Sequence, residues 1–204
     1  MNRGWQLFSF TSFVEIVCML FFAAQLVNGQ LMLATFSLNH VQGLSTDRPW
    51  EFYRLLSPSF LHFGLFHIAF NLVMWEALAR PLERTVGMLK LIMVFIAVAL
   101  VSNMLQYGFL SHNMVFGGLS GVVYGIIGYT GVISRRRDVP SSLQFPKGLF
   151  AVSLIFIAAG FFINGGLANM CHLGGLLTGA LAGLFDFRSR RLFNRSGSRA
   201  SRWQ

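Results

Sequence analysis

The stretch Phe116-Gly117-Gly118-Leu119-Ser120-Gly121-Val122-Val123-Tyr124-Gly125-Ile126-Ile127-Gly128 decides how this chain is built. Two glycines lead into a serine, and an apolar run with further glycines at helical spacing follows. The run ends at Ser134, directly before Arg135, Arg136 and Arg137. Ser120 precedes Arg135 by fifteen residues, about 22 Å of α-helix at a rise of about 1.5 Å per residue. A bilayer core is about 30 Å thick. If the arginines mark one face of a membrane, Ser120 lies roughly 8 Å below the other. Backbone that enters at that depth without helical hydrogen bonds is tolerated only where it is buried or lines water. The Phe116–Leu119 approach therefore implies a wet pocket open to the side opposite the arginines.

The rest of the chain fits a membrane. It has 204 residues, 54% hydrophobic and only 11% charged, against about 25% charged in soluble domains. That balance excludes an ordinary soluble domain and a disordered chain. Six apolar runs read as spans: about 8–30, 63–80, 87–107, 120–134, 148–163 and 172–187. The expected fold is all-α, a polytopic bundle of six transmembrane helices forming one membrane domain over 1–204. The first run reads as a retained anchor rather than a cleaved signal. Fourteen of the sixteen lysines and arginines fall on one side of these spans, leaving Arg48 and Arg54 on the other. By the positive-inside rule both termini are cytoplasmic. The net charge of +9 thus reflects topology, and the arginine-rich tail 188–204 is expected to touch anionic lipid rather than nucleic acid. The first outer connection, about Leu31–His62, mixes Trp50, Phe52, Tyr53 and Phe60 with charge, a pattern of the lipid–water interface. Two cysteines, Cys18 and Cys171, make no disulfide framework.

Polar side chains inside a membrane are costly, so each marks a candidate site. His172 lies sixteen residues above Arg188, about 24 Å. His67 lies thirteen residues above Arg80 and seventeen above Arg84, about 20–25 Å. Both match the depth of Ser120 from independent anchors. Asn71 is one turn from His67 on the same face. Gly121, Gly125 and Gly128 form a small-residue face, as do Gly175, Gly179 and Gly183. Such faces let helices approach closely. If these two meet, Ser120 meets His172, and Tyr124 comes against the imidazole.

A serine beside a neutral histidine is a nucleophile–base pair suited to acyl transfer. Gly118, Leu119 and Ser120 enter a helix N-terminus, whose unpaired N–H groups favour a developing oxyanion. The side chains of His67 and Asn71 add donors. A third, acidic member is hard to find: Asp186 lies fourteen residues below His172, and Asp138 and Glu83 fall on the arginine side. Asp47 and Glu51, on the outer side, stay open. A Ser–His dyad is the expected arrangement. No metal site is expected, since an H-E-x-x-H pair is missing and His62 and His67 have no carboxylate or thiolate beside them. No cofactor is implied.

Singly, these residues have ordinary explanations. A serine opening a helix is most often a cap, and an intramembrane asparagine is usually a packing hydrogen bond. His40 and His112 have no evident partner, and Cys171, adjacent to His172, faces elsewhere on a helix. Glu15 and Glu76 suggest interhelical hydrogen bonds or a wet crevice. Matched depth and matched faces favour the chemical reading of Ser120 and His172.

Together Arg54, His62-x-x-x-x-His67-x-x-x-Asn71, Gly118-Leu119-Ser120-Gly121-Val122-Val123-Tyr124-Gly125 and Asn169-x-x-His172-x-x-Gly175-x-x-x-Gly179 resemble the rhomboid intramembrane serine proteases, nearest their bacterial GlpG type. The resemblance runs from the second span to the sixth. It implies a serine endopeptidase of the bacterial inner membrane that cleaves transmembrane protein substrates near their outer ends. In it Ser120 is the nucleophile and His172 the general base. His67, Asn71 and the N–H groups of Leu119 and Ser120 form the oxyanion hole, and Tyr124 stacks on His172. Gly118 belongs to the same loop, while His62 and Arg54 support the first outer loop. The connection Asn164–Cys171 would cap the site, and Phe70 and Phe156 would flank substrate entry. Tyr53 stands where related sequences often carry Trp.

Two other classes of function remain in play from sequence. A catalytically inactive rhomboid-like protein would bind or escort transmembrane segments, and could dispense with Ser120 or His172. A small channel or transporter would often show internal repeats, and none is evident.

Overall fold

The computed structural model describes residues 9–38, 49–109, 115–140, 143, 148–162 and 169–188. These residues contain six α-helices: α1 Phe10–Phe36, α2 Leu65–Val86, α3 Met88–Phe109, α4 Ser120–Ile133, α5 Leu149–Phe162 and α6 Asn169–Arg188. Two 3₁₀ segments, Pro49–Leu55 and Ser57–Phe60, lie between α1 and α2. No strand occurs among the described residues. The basic tail beyond Arg188, residues 163–168 of the expected cap, and Asp47, His40 and His112 lie outside the described residues.

By length and apolar composition α1, α3 and α6 each suffice to cross a membrane, and α4 and α5 are shorter apolar helices. The chain is an integral membrane protein. The fourteen residues of α4 rise about 21 Å, less than a bilayer core. Eleven of those fourteen are buried, which makes α4 the central post of the bundle. It packs against α2, α3, α5 and α6. The other helices carry many exposed apolar side chains, among them Val27, Phe66, Phe162 and Phe185, as lipid contact requires.

Glycine sets the approach of α4 to α6. A Cβ on Gly175 would run into the carbonyl of Gly121, and one on Gly179 into the carbonyl of Gly125. From the other side, a Cβ on Gly128 would meet the Leu176 carbonyl. The two small-residue faces therefore touch backbone to backbone, closer than any side chain permits.

Helix ends differ from the sequence expectation in three places, each for a visible reason. α1 runs to Phe36 rather than stopping near 30, because the Asn28 side chain accepts from the Leu31 N–H at 3.0 Å across a kink at Asn28 (φ −148°, ψ 83°) and restarts the helix. α2 begins at Leu65, after Gly64 with φ +143°, and continues through Pro81 to Val86 rather than ending at Arg80. Arg80 is satisfied within the protein: it bonds both oxygens of Glu76 at 2.6 Å and reaches Ser9 and Ser12 on α1 at 2.7 and 3.0 Å. Glu15 lies 3.7 Å from it. One turn on, Glu83 accepts the N–H groups of Phe10 and Thr11 at 2.8 and 2.9 Å, so α2 completes the cap that Ser9 begins by accepting the Ser12 N–H at 3.1 Å. α6 starts at Asn169, not 172, and Gln106 of α3 accepts the Cys171 N–H at 3.0 Å in its first turn.

At the same end as Arg80, buried Asp186 accepts from Tyr129 at 2.6 Å and pairs with Lys90 at 2.8 Å. Arg136 donates to the carbonyls of Asp186 and Phe187, both at 3.0 Å, covering the last carbonyls of α6. At the opposite end the 3₁₀ segments are sewn to the helices. Arg54 donates to the Ser37 carbonyl at 3.0 Å and pairs with Glu51 at 3.3 Å. Ser57 donates to Phe36 and Tyr53 to Thr35, while Asn103 of α3 donates to the Leu55 carbonyl. Trp50 and Phe52 remain exposed beside these anchors, as an interfacial segment would have them.

Candidate active site

Gly118 opens the site. Its φ of +122° suits glycine, its N–H donates to the Pro58 carbonyl at 2.9 Å, and it turns the chain into α4. Ser120 is the first residue of α4. Its Oγ lies 2.9 Å from His172 Nε2, in the first turn of α6. The glycine contacts described above hold these two turns together. Tyr124, one turn below Ser120, stacks on the His172 ring with centroids 4.4 Å apart and planes 21° apart.

Among the described residues the hydrogen-bond partner of the His172 ring is Ser120. The acids lie elsewhere: Glu51 on Arg54, and Asp186 on Tyr129 and Lys90. No group of three or more His, Cys, Asp or Glu that would hold a metal ion occurs among the described residues.

His67 and Asn71 project from the first two turns of α2 towards the Gly118 turn. A Cβ on Gly118 would stand 2.8 Å from His67 Nε2 and 3.7 Å from Asn71 Nδ2. The Phe63 N–H donates to His67 Nδ1 at 3.3 Å, so the neutral ring carries its proton on Nε2, the nitrogen facing Gly118. Asn71 is buried and spends one amide hydrogen on the His67 carbonyl at 3.0 Å, leaving the other. The Leu119 N–H, read from sequence as an oxyanion donor, points to His62 Nε2 at 3.5 Å. A fully buried N–H must have an acceptor, and His62 provides one. His62 donates through Nδ1 to the Phe60 carbonyl at 3.1 Å. Burial, and then His67 beside it, push the His62 imidazole down to about 4, so it is neutral in this role.

Arg54 is buried in the 3₁₀ segments, where it donates to the Ser37 carbonyl. Phe70 on α2 and Phe156 on α5 are both exposed. Three residues escaped the sequence reading: Gln25, whose side chain holds both backbone groups of His62; Gln106, which caps α6 next to His172; and Asn103, which ties α3 to the 3₁₀ segments. Their signal was available, since each is an amide inside an apolar run.

The arrangement has the parts of an acyl-transfer site: a hydroxyl on an imidazole, and polar hydrogens grouped around a glycine turn at a helix N-terminus. A family model described as the Rhomboid domain matches residues 49–189. Among curated proteins, the rhomboid protease GlpG of Serratia proteamaculans (strain 568) is 39% identical over 142 residues, 69% of this chain and 50% of that protein. The GlpG of Yersinia enterocolitica is 40% identical over 141 residues, 68% of this chain and 50% of that protein. The GlpG of Yersinia pestis (strain Pestoides F) is 33% identical over 178 residues, 86% of this chain and 62% of that protein. The chain thus spans about half the length of the curated relatives it matches.

Proposed function

Because the chain belongs to the rhomboid family, we propose that it is an intramembrane serine endopeptidase that cuts transmembrane segments of membrane proteins near their outer ends. The observation that most supports this reading is the 2.9 Å approach of Ser120 Oγ to His172 Nε2 at the N-terminus of a buried helix.

In this mechanism the Ser120 hydroxyl gives its proton to His172 Nε2 as Oγ attacks the scissile carbonyl carbon. The carbonyl oxygen takes up negative charge, and the His67 Nε2–H, the second Asn71 amide hydrogen and the Ser120 N–H stabilise it. The Leu119 N–H joins them by leaving His62, since an oxyanion is a stronger acceptor than a neutral imidazole. The C–N bond then breaks and His172 returns the proton to the departing amine. A water, deprotonated by His172, hydrolyses the Ser120 ester. Tyr124 holds the imidazole plane. Because a helical peptide bond is shielded, substrates with helix-weakening Gly, Pro or polar residues are preferred. Exposed Phe70 and Phe156 flank the lateral route of entry from the lipid bilayer. The asymmetry of the basic residues favours a topology with both termini in the cytoplasm and the site towards the outer face of a bacterial inner membrane.

A fluorophosphonate probe tests the reading. It should label the purified protein and fail on Ser120→Ala; labelling that survives Ser120→Ala, or is absent from the folded wild type, contradicts it.

A further inference from the structure

Gln25 lies mid-way along α1, outside the group of residues around Ser120. Its side-chain amide nevertheless clamps the backbone of His62 from both sides: Oε1 accepts the His62 N–H at 3.0 Å, and Nε2 donates to the His62 carbonyl at 3.2 Å. The His62 carbonyl and the Phe63 N–H belong to one rigid peptide plane. That plane is held at its two ends, by Gln25 on the oxygen and by His67 Nδ1 on the nitrogen, the latter at 3.3 Å.

We propose that Gln25 is a positioning residue that sets the tautomer of His67. Anchored by Gln25, the peptide plane presents its N–H to Nδ1. Nδ1 is then the acceptor, and the ring proton resides on Nε2, which faces the Gly118 turn. Accepting a hydrogen bond at its oxygen also polarises the peptide and strengthens donation from its nitrogen. Without Gln25 the plane is free to turn, the Phe63 N–H leaves Nδ1, and the opposite tautomer becomes accessible. That tautomer aims a lone pair at the position where the proposed mechanism develops negative charge. The tautomer claim stands on geometry alone, and only its kinetic consequence rests on the protease reading.

The test is the ¹⁵N NMR signature of the His67 ring in the full chain, recorded for wild type, Gln25→Met and Gln25→Glu. Methionine keeps the volume and loses both hydrogen bonds. Ionised glutamate keeps the bond from the His62 N–H, and with it the docking of α1, but cannot donate to the carbonyl. The expected result is the Nε2–H form in wild type and appearance of the Nδ1–H form in both variants. Accompanying it, kcat falls roughly ten- to a hundredfold with KM little changed, below the ~10²–10³ of a wholly lost oxyanion donor. A wild type in the Nδ1–H form, or variants that keep the Nε2–H form, overturns the proposal. A tautomer shift in a protein that Ser120-directed probes do not label supports the positioning role and refutes the protease reading instead, so the two failures are distinct.

Discussion

Gly179 of α6 rests directly on the main-chain carbonyl of Gly125 in α4. That contact, repeated at Gly175 against Gly121, brings the first turns of the two helices together and with them His172 to Ser120. The catalytic proposal therefore depends on residues that have no side chain.

Gly179→Ala is expected to force the two helices apart, because the obstacle is backbone and cannot swing away. Overpacking costs about 1–3 kcal/mol, and this site belongs at the upper end. Thermal unfolding in detergent should drop, and activity should fall even at temperatures where the variant is folded. Unchanged stability would show that the α4–α6 seam is looser than described.

Gly118→Ala should act more locally. The added methyl meets a residue conformation of φ +122° and the His67 ring at 2.8 Å. Displacing that ring should lower kcat by about 10²–10³, the usual cost of an oxyanion donor. Steady-state kinetics in detergent or liposomes measure it, and a loss confined to KM would count against His67 as a donor.

Asp186→Asn should separate stability from chemistry. Asp186 is buried between Tyr129 and Lys90 at the end of the bundle opposite the 3₁₀ segments. Asparagine still accepts from Tyr129 but leaves Lys90 without its countercharge, for a loss of about 1–3 kcal/mol. The melting temperature should fall while activity per folded molecule is retained.

Stability should also depend on pH through His62. Its folded-state value, about 4, lies below the ordinary 6.5. The unfolded chain therefore binds more protons between those values, and the contribution of neutral His62, fully present above about 6.5, is lost as pH falls towards 4. His62→Gln, which cannot be protonated, should show a shallower fall of melting temperature over that window than wild type does.

The helices α1, α3 and α6 were legible as long apolar runs, and α4 and α5 as shorter ones, because lipid demands apolar surface and internal backbone pairing. The meeting of the Gly121–Gly128 and Gly175–Gly183 faces was legible because small residues at that spacing have few other uses in a membrane. What sequence left open were polar contacts between distant positions. Glu15 and Glu76 read only as costly acids, and Arg80 turns out to pair with both. Glu83 read as a cytoplasmic acid, whereas it caps α1 across 73 residues of chain. The Asn28 restart and the Gln25 clamp escaped for the same reason: a side-chain hydrogen bond has no periodicity from which its partner can be inferred.

The most direct measurement is cleavage of a transmembrane segment by the purified protein reconstituted in liposomes, with the cut site mapped by mass spectrometry. The account predicts a single cut near the outer end of the segment, abolished by Ser120→Ala and by His172→Ala and slowed by Asn71→Ala. Fragments released equally by Ser120→Ala would contradict it.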